Sequence, residues 1–324
     1  MPPLTRASAA LLLALCAGQP GQPGPPVDPP PTPDGERVLS YSFGGAAARG
    51  QLTGGVRSGP WTLYHPGGAV RAEGRYEDGL AEGPWTFFGP GGGVVREGHF
   101  RRGRAEGTWT RWPEGSPKRV ELASYRAGRA HGRTRWWYPS GEPRAAGEFL
   151  DGLLHGSWVR WSPEGTVLEE GTYAGGREEG EWILRHPNGT LAARGTYRDG
   201  QREGRWTTWS ETGARLTEGD YAAGRETGPW TWWDGGEGSA RKVLEGSFED
   251  GLETGTWSAW HPSGALAERG TFARGRAEGL WTSWDPDGTV RASGTCAGGL
   301  AEGPWSLRDR GAGELRRVEF RAGR

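Results

Sequence analysis

The sequence predicts an all-β fold: an elongated, single-layer, twisted antiparallel sheet of stacked β-hairpin repeats, solenoid-like, behind a disordered N-terminus. Three observations predict it. A phrase of 24 residues recurs eleven times between about Gly59 and the last residue. Turn chemistry recurs inside every phrase, at a Pro-Gly step and at an isolated glycine. With 60 glycines in 324 residues, one methionine and a mean hydropathy of −0.72, the aromatics must supply most of the apolar burial.

The N-terminus comes first in the chain and differs from the rest. Arg6 precedes Ala7–Ala17, a largely apolar run of eleven residues centred on Leu11-Leu12-Leu13. It is too short to span a bilayer and fits the apolar region of an export signal. Residues 1–18 are therefore expected to be a signal peptide and 19–36 a proline-rich disordered linker. Residues 37–324 are expected to be the repeat array. Between Gln19 and Gly35 stand eight prolines, which favour an extended tether. Leu13-Ala14-Leu15-Cys16 resembles a bacterial lipobox, although Leu15 stands where a small residue belongs. Ordinary cleavage and lipidation at Cys16 both stay open, with a cytosolic N-terminus as the third alternative.

Each repeat opens on Gly-x-Trp, as in Gly59-Pro60-Trp61 and Gly204-Arg205-Trp206. The fourth copy, Gly132-Arg133-Thr134, has lost its Trp. Steps between openings are 24 residues in eight of ten cases, with one of 25 and one of 27. The extra residues fall at Pro113–Arg119 and Asp234–Lys242, which marks those stretches as loops. A Tyr or Phe follows about fifteen residues after the Trp, from Tyr76 to Phe320, with Cys296 in that slot in the tenth copy. A glycine stands three residues beyond it, as at Gly79 and Gly200. Two short runs lie between the turns, such as Trp61–Tyr64 and Ala69–Tyr76. They are too short and too glycine-rich for helices, and hairpins fit them.

A second aromatic stands three residues after the Trp in nine copies: Tyr64, Phe88, Trp112, Trp137, Trp161, Trp209, Trp233, Trp260 and Trp284. Arg185 and Arg308 replace it in the other two. This row is the candidate binding row. A spacing of three puts the two rings on opposite faces of a regular strand. A kinked strand would instead bring them to one side, and the sequence leaves both arrangements open.

Motifs of catalysis are absent. There is no Gly-x-Ser-x-Gly and no phosphate-binding Gly-Lys-Ser/Thr. His131 and His155 share a slot that holds Glu82, Glu106 and Glu203 in other copies, which reads as a polar turn position rather than a metal site. Neither a catalytic residue nor a cofactor or metal ligand is predicted, and Cys296 reads as a small buried apolar residue. The net charge of −1, with Arg and Glu interspersed, gives no drive toward nucleic acid and no basic patch for anionic lipid.

The phrase Gly-x-Trp-x-x-Trp-x-Pro-x-Gly, followed by Gly-x-Tyr-x-x-Gly, resembles the MORN repeat. More narrowly it is similar to the bacterial variant in proteins labelled YwqK-family antitoxins. Gly204-Arg205-Trp206-Thr207-Thr208-Trp209 and Gly195-Thr196-Tyr197-Arg198-Asp199-Gly200 carry the likeness well, and it extends over about Gly50 to Gly323. The resemblance implies a long sheet of hairpins that serves as a scaffold or binding surface. Three functional expectations follow. The first is a non-enzymatic scaffold for a protein partner at the bacterial envelope, exported and reaching the membrane only through an N-terminal lipid anchor. The second is a glycan or cell-wall binding module that stacks sugars on the aromatic row. The third is an antitoxin-like binding protein.

Overall fold

The computed structural model describes residues 34–42, 44–236, 241–308 and 315–321. The signal peptide with Cys16, and the linker up to residue 33, lie outside the described residues. Every regular element among the described residues is a β-strand, and the strands fall into two compact units, Met1–Gly165 and Thr166–Arg324. In the first, eleven strands run from Gly35–Ser40 to Leu153–Trp161, each antiparallel to the one before it. In the second, thirteen strands from Val167–Ala174 to Leu315–Phe320 do the same. Each unit is thus a single open antiparallel meander, as the repeat pattern predicts.

Two boundaries differ from the sequence reading. A hairpin of Gly35–Ser40 and Ala46–Thr53 precedes the first Gly-x-Trp, so Gly35 and Glu36 belong to a strand and not to the linker. Its register pairs Arg37 with Gly50 and Gly35 with Leu52, so Arg37 and Leu52 occupy the two ring slots. Each opening strand is also longer than the run that begins at the Trp: it starts five residues earlier, as in Val56–Tyr64. The two insertions do lie between strands, after Arg111 and after Trp233.

The turns follow from backbone chemistry. Asp78 (φ 48°) and Gly79 (φ 76°) join the strand Val70–Glu77 to Leu80–Phe88. Two successive positive φ values make a type I′ turn, whose twist suits a tight hairpin and whose second residue is best met by glycine. Each such turn is tied to the repeat before it. Gly79 donates its N–H to the Arg57 carbonyl at 2.9 Å. The Glu slot binds the left-handed residue of the next turn: Glu82 accepts from Arg102 N–H at 2.6 Å and Glu203 from Ala223 N–H at 3.0 Å.

The Gly-x-Trp motif is a bulge. Glu73 pairs with Thr86 and Arg75 with Glu82, so Gly74 alone faces Gly83-Pro84-Trp85. Gly83 takes φ 70°, and the extra residues fold the Trp85 indole onto Gly74. A Cβ on Gly74 would lie 2.1 Å from that ring. The same closeness recurs at nine other glycines, from Gly50 under Trp61 to Gly294 under Trp305. Eight of these indoles donate to the carbonyl ten residues upstream at 2.9–3.2 Å, as Trp206 does to Thr196. Between successive Trp residues stands the Tyr or Phe, set edge-on to both. Tyr197 lies 6.0 Å from Trp182 and 4.9 Å from Trp206, with interplanar angles of 81° and 80°. This alternation, with Trp61, Trp85 and Trp206 at most 2 % exposed, is the core of each unit. Each edge-to-face pair contributes roughly 0.5–1.5 kcal/mol beyond the burial itself.

Candidate functional site

The second aromatics leave that core. Along Val56–Tyr64 burial alternates: Trp61 and Leu63 are buried while Thr62 and Tyr64 are half-buried. Trp61 and Leu63 pair with Gly74 and Ala72 on the core face. Simple alternation then carries Tyr64 to the other face, which settles the parity question in favour of a two-faced strand. A register shift follows at once: Leu63 pairs with Ala72, but Tyr64 with Val70. The equivalent shift occurs at Phe88, Trp209, Trp233, Trp260 and Trp284. All nine members of the row, including Trp112, Trp137 and Trp161, are half-buried. Among the described residues, none of them stacks on a ring of the core.

Local partners hold this row in place. Its backbone carbonyls receive a side chain from the preceding repeat. Tyr41 donates to Tyr64 O at 2.6 Å and Tyr138 to Trp161 O at 2.9 Å. His65, His186 and His261 place Nε2 at 3.0, 2.9 and 2.9 Å from the carbonyls of Phe88, Trp209 and Trp284. A carbonyl only accepts, so these rings carry the proton on Nε2. Three rings are capped by a cation eighteen residues upstream: Arg119 lies 4.8 Å from the Trp137 centroid, Arg215 5.1 Å from Trp233, and Lys242 5.2 Å from Trp260. Where the row carries arginine, Arg185 meets Glu170 at 2.9 Å and Arg308 donates to Val290 O at 2.8 Å.

The other predicted slots have structural work. His131 Nδ1 sits 3.5 Å from Asp151 N and 3.3 Å from its carboxylate, the position the Glu residues take in other copies. Arg126 and His131 hold the Asp151 carboxyl below its ordinary value, chiefly through the Arg126 hydrogen bond. Among the described residues no three metal-ligating side chains converge. Cys296 is buried, and desolvation, reinforced by Glu278 and Glu268, pushes its thiol up. Two features escaped the sequence reading. One is a column of exposed residues directly after the turn glycines, in which Val56, Leu80, Leu153, Leu252 and Leu300 alternate with Arg and Gln. Its signal, a Leu or Val at the fourth position after the aromatic, was available. The other is a set of charges, Arg96, Arg111 and Glu121, on the core face, which only the register places there.

No curated protein matches the chain. Among solved structures it is similar to a crystal structure titled TcdB2-TccC3-Cdc42, at 11% identity over 89% of this chain and 19% of that one, with a TM-score of 0.17. It is also similar to a Tc holotoxin pore of Photorhabdus luminescens, at 12% identity over 89% and 16%, with a TM-score of 0.17. The chain therefore spans less than a fifth of the length of these structures, and scores this low carry no argument. The family described as MORN repeat variant matches residues 154–174 and 178–199, two adjacent copies. The two matched copies are MORN repeat variants, and they have the same Gly-x-Trp bulge and type I′ turn as their neighbours.

Proposed function

We propose that the chain is a non-catalytic scaffold that presents its half-exposed aromatic row to a protein partner at the bacterial envelope. The carrying observation is the division of labour between the two rows: the first is consumed by the core, while the second keeps part of every ring at the surface. Aromatic and apolar residues set among arginines match the composition of protein-binding patches. Export rests on Arg6 and the apolar run Ala7–Ala17, and lipid attachment on Cys16.

Sugar stacking on the same row is the second reading, supported by Trp112, Trp209 and Trp284, which carry no cation among the described residues. It is weaker because the guanidinium or ammonium groups on Trp137, Trp233 and Trp260 occupy the ring faces that a sugar would need.

The test uses the slot's own tolerance for arginine. The double variant Trp209→Arg, Trp284→Arg keeps the fold, and wild type and variant are used to capture proteins from the native envelope fraction. A protein enriched by the wild type and lost with the variant is the expected result. Co-sedimentation with purified cell wall, equally lost, would replace the reading with the glycan one. Recovery of the full-length chain from the cytosol, with Met1 or Pro2 intact, would overturn the envelope assignment and favour the antitoxin-like alternative.

A further inference from the structure

The core face carries an anomaly in the second and third repeats. In other copies the paired slots beside the Trp row hold at most one charge: Ala72 faces Phe87, Ala145 faces Arg160, Glu169 faces Leu184 and Glu268 faces Ser283. Here they hold Arg96 and Arg111, which stand directly opposite each other in the strand pairing. Like charges in that relation repel. One acid answers them, and it is already engaged: Glu121 accepts from Arg111 Nε at 2.8 Å and from Trp136 Nε1 at 3.1 Å. Arg96 instead lies over the Trp109 ring, 4.7 Å from its centroid. Burial lowers the affinity of its guanidinium for the proton, and Tyr125 and Glu121 only partly offset this.

Arg96 and Arg111 both line a cavity of about 490 Å³. Its other walls are Phe87, Val95, Trp112, Pro113 and Glu114. Glu114 is turned to the backbone, where it accepts from Gly91 N–H at 2.8 Å. The volume is within the range of small-ligand sites, roughly 300–1,000 Å³, and such sites combine apolar walls with a few convergent polar groups. The loop Pro113–Arg119, lengthened by one residue relative to the standard repeat, supplies part of the wall.

We propose that this cavity binds a carboxylate carried on an apolar body. Two planar forks match a carboxylate's paired oxygens. The two arginines balance Glu121 and Glu114 in charge, so a monoanion adds a single negative charge, and the opposed pair Arg96 and Arg111 is what can receive it. A dianion would add surplus negative charge beside Glu114 and Glu121. The aromatic walls take the apolar body. The carboxylate can belong to a free small acid or to the C-terminus of a polypeptide. The cavity shares Trp112 with the aromatic row, but the binding of a carboxylate does not depend on a protein partner there.

Titration calorimetry on the full chain tests it with N-acetylphenylalanine, its neutral carboxamide, and a pentapeptide ending in a free phenylalanine carboxylate. Arg96→Ala and Arg111→Leu place at each slot a residue that other repeats already use there. A thermal melt confirms that each variant is folded. The acid should bind at least about tenfold more tightly than the amide, and Arg96→Ala should weaken the acid by about tenfold or more, the scale of one lost charge-assisted contact. A peptide that binds more tightly than the single acid identifies a polypeptide end as the ligand, and equal affinities identify a free acid. Equal binding of acid and amide, no binding of any probe at millimolar concentration, or full affinity in both folded variants would overturn the proposal.

Discussion

The fourth and tenth repeats each lack one ring of the core, and they fare differently. In the fourth, Thr134 replaces the Trp, yet the site is closed: Thr134 is 1 % exposed. Its partner across the strands is Ala123, where other copies need glycine beneath the indole. Trp136, two residues along on the same face and 1 % exposed, packs 6.1 Å from Phe149 and 5.9 Å from Trp158. In the tenth, Cys296 replaces the Tyr or Phe, and nothing takes over. Trp281 and Trp305 become half-buried, and a cavity of about 190 Å³ opens among them and Cys296. The difference lies in the positions available nearby. A lost Trp can be replaced from the next core-facing position of its strand. A lost Tyr or Phe has only Gly294 two residues before it, held to glycine by Trp305, and the turn residue Gly298 two residues after.

The largest effect should come from removing the substitute. Trp136→Ala is expected to destabilise its unit by about 3–5 kcal/mol, as much as Trp206→Ala does in a standard repeat. Chemical denaturation of both variants checks this. A loss at Trp136 well below that at Trp206 would show that the fourth repeat is not closed by this ring.

The glycine beneath the indole gives the next largest effect. Gly195 has a φ that any residue can adopt, so only the Trp206 ring, 2.2 Å from an added Cβ, forbids a side chain. Gly195→Ala should cost about 1–3 kcal/mol by overpacking. Ala123→Gly, where no indole sits above, should cost about 0.5–1 kcal/mol through backbone entropy alone. Equal losses in denaturant titrations of the two would mean that the Gly–Trp contact is not what sets the slot.

These contrasts also mark how far the sequence could be read. The hairpins were legible because left-handed turns and a strict period leave few residue choices at Gly79 or Gly200. The hairpin Gly35–Thr53 was not, because Arg37 and Leu52 stand where rings normally do, and only glycines such as Gly35, Gly44, Gly50 and Gly55 keep the rhythm. The candidate row was legible as a row, since its spacing repeats. Its face was not, because a bulge on either side of the Trp decides which residues share a side. The cations over Trp137, Trp233 and Trp260, and the opposed arginines Arg96 and Arg111, depend on register between strands, which no single repeat encodes.

The smallest effect is a gain, and it tests the uncompensated repeat. A cavity of about 150 Å³ lined by apolar residues holds benzene, so the space beside Cys296 can take a phenyl ring. Cys296→Phe should restore the edge-on contacts to Trp281 and Trp305 and stabilise its unit by about 1 kcal/mol. It should also change the pH dependence. The buried thiol is held above its ordinary value of 9.0. Its contribution is therefore fully present below the pKa of the unfolded chain, and is lost as pH rises through the folded value, because the unfolded thiol ionises first. Denaturant titrations at pH 7 and pH 10 should show the wild type losing more stability over that interval than Cys296→Phe. An unchanged difference between the two proteins at both pH values would mean that the thiol is solvated in the native state. A loss of stability at pH 7 would mean that the gap between Trp281 and Trp305 is too narrow for a ring, and that the tenth repeat has closed around the smaller side chain.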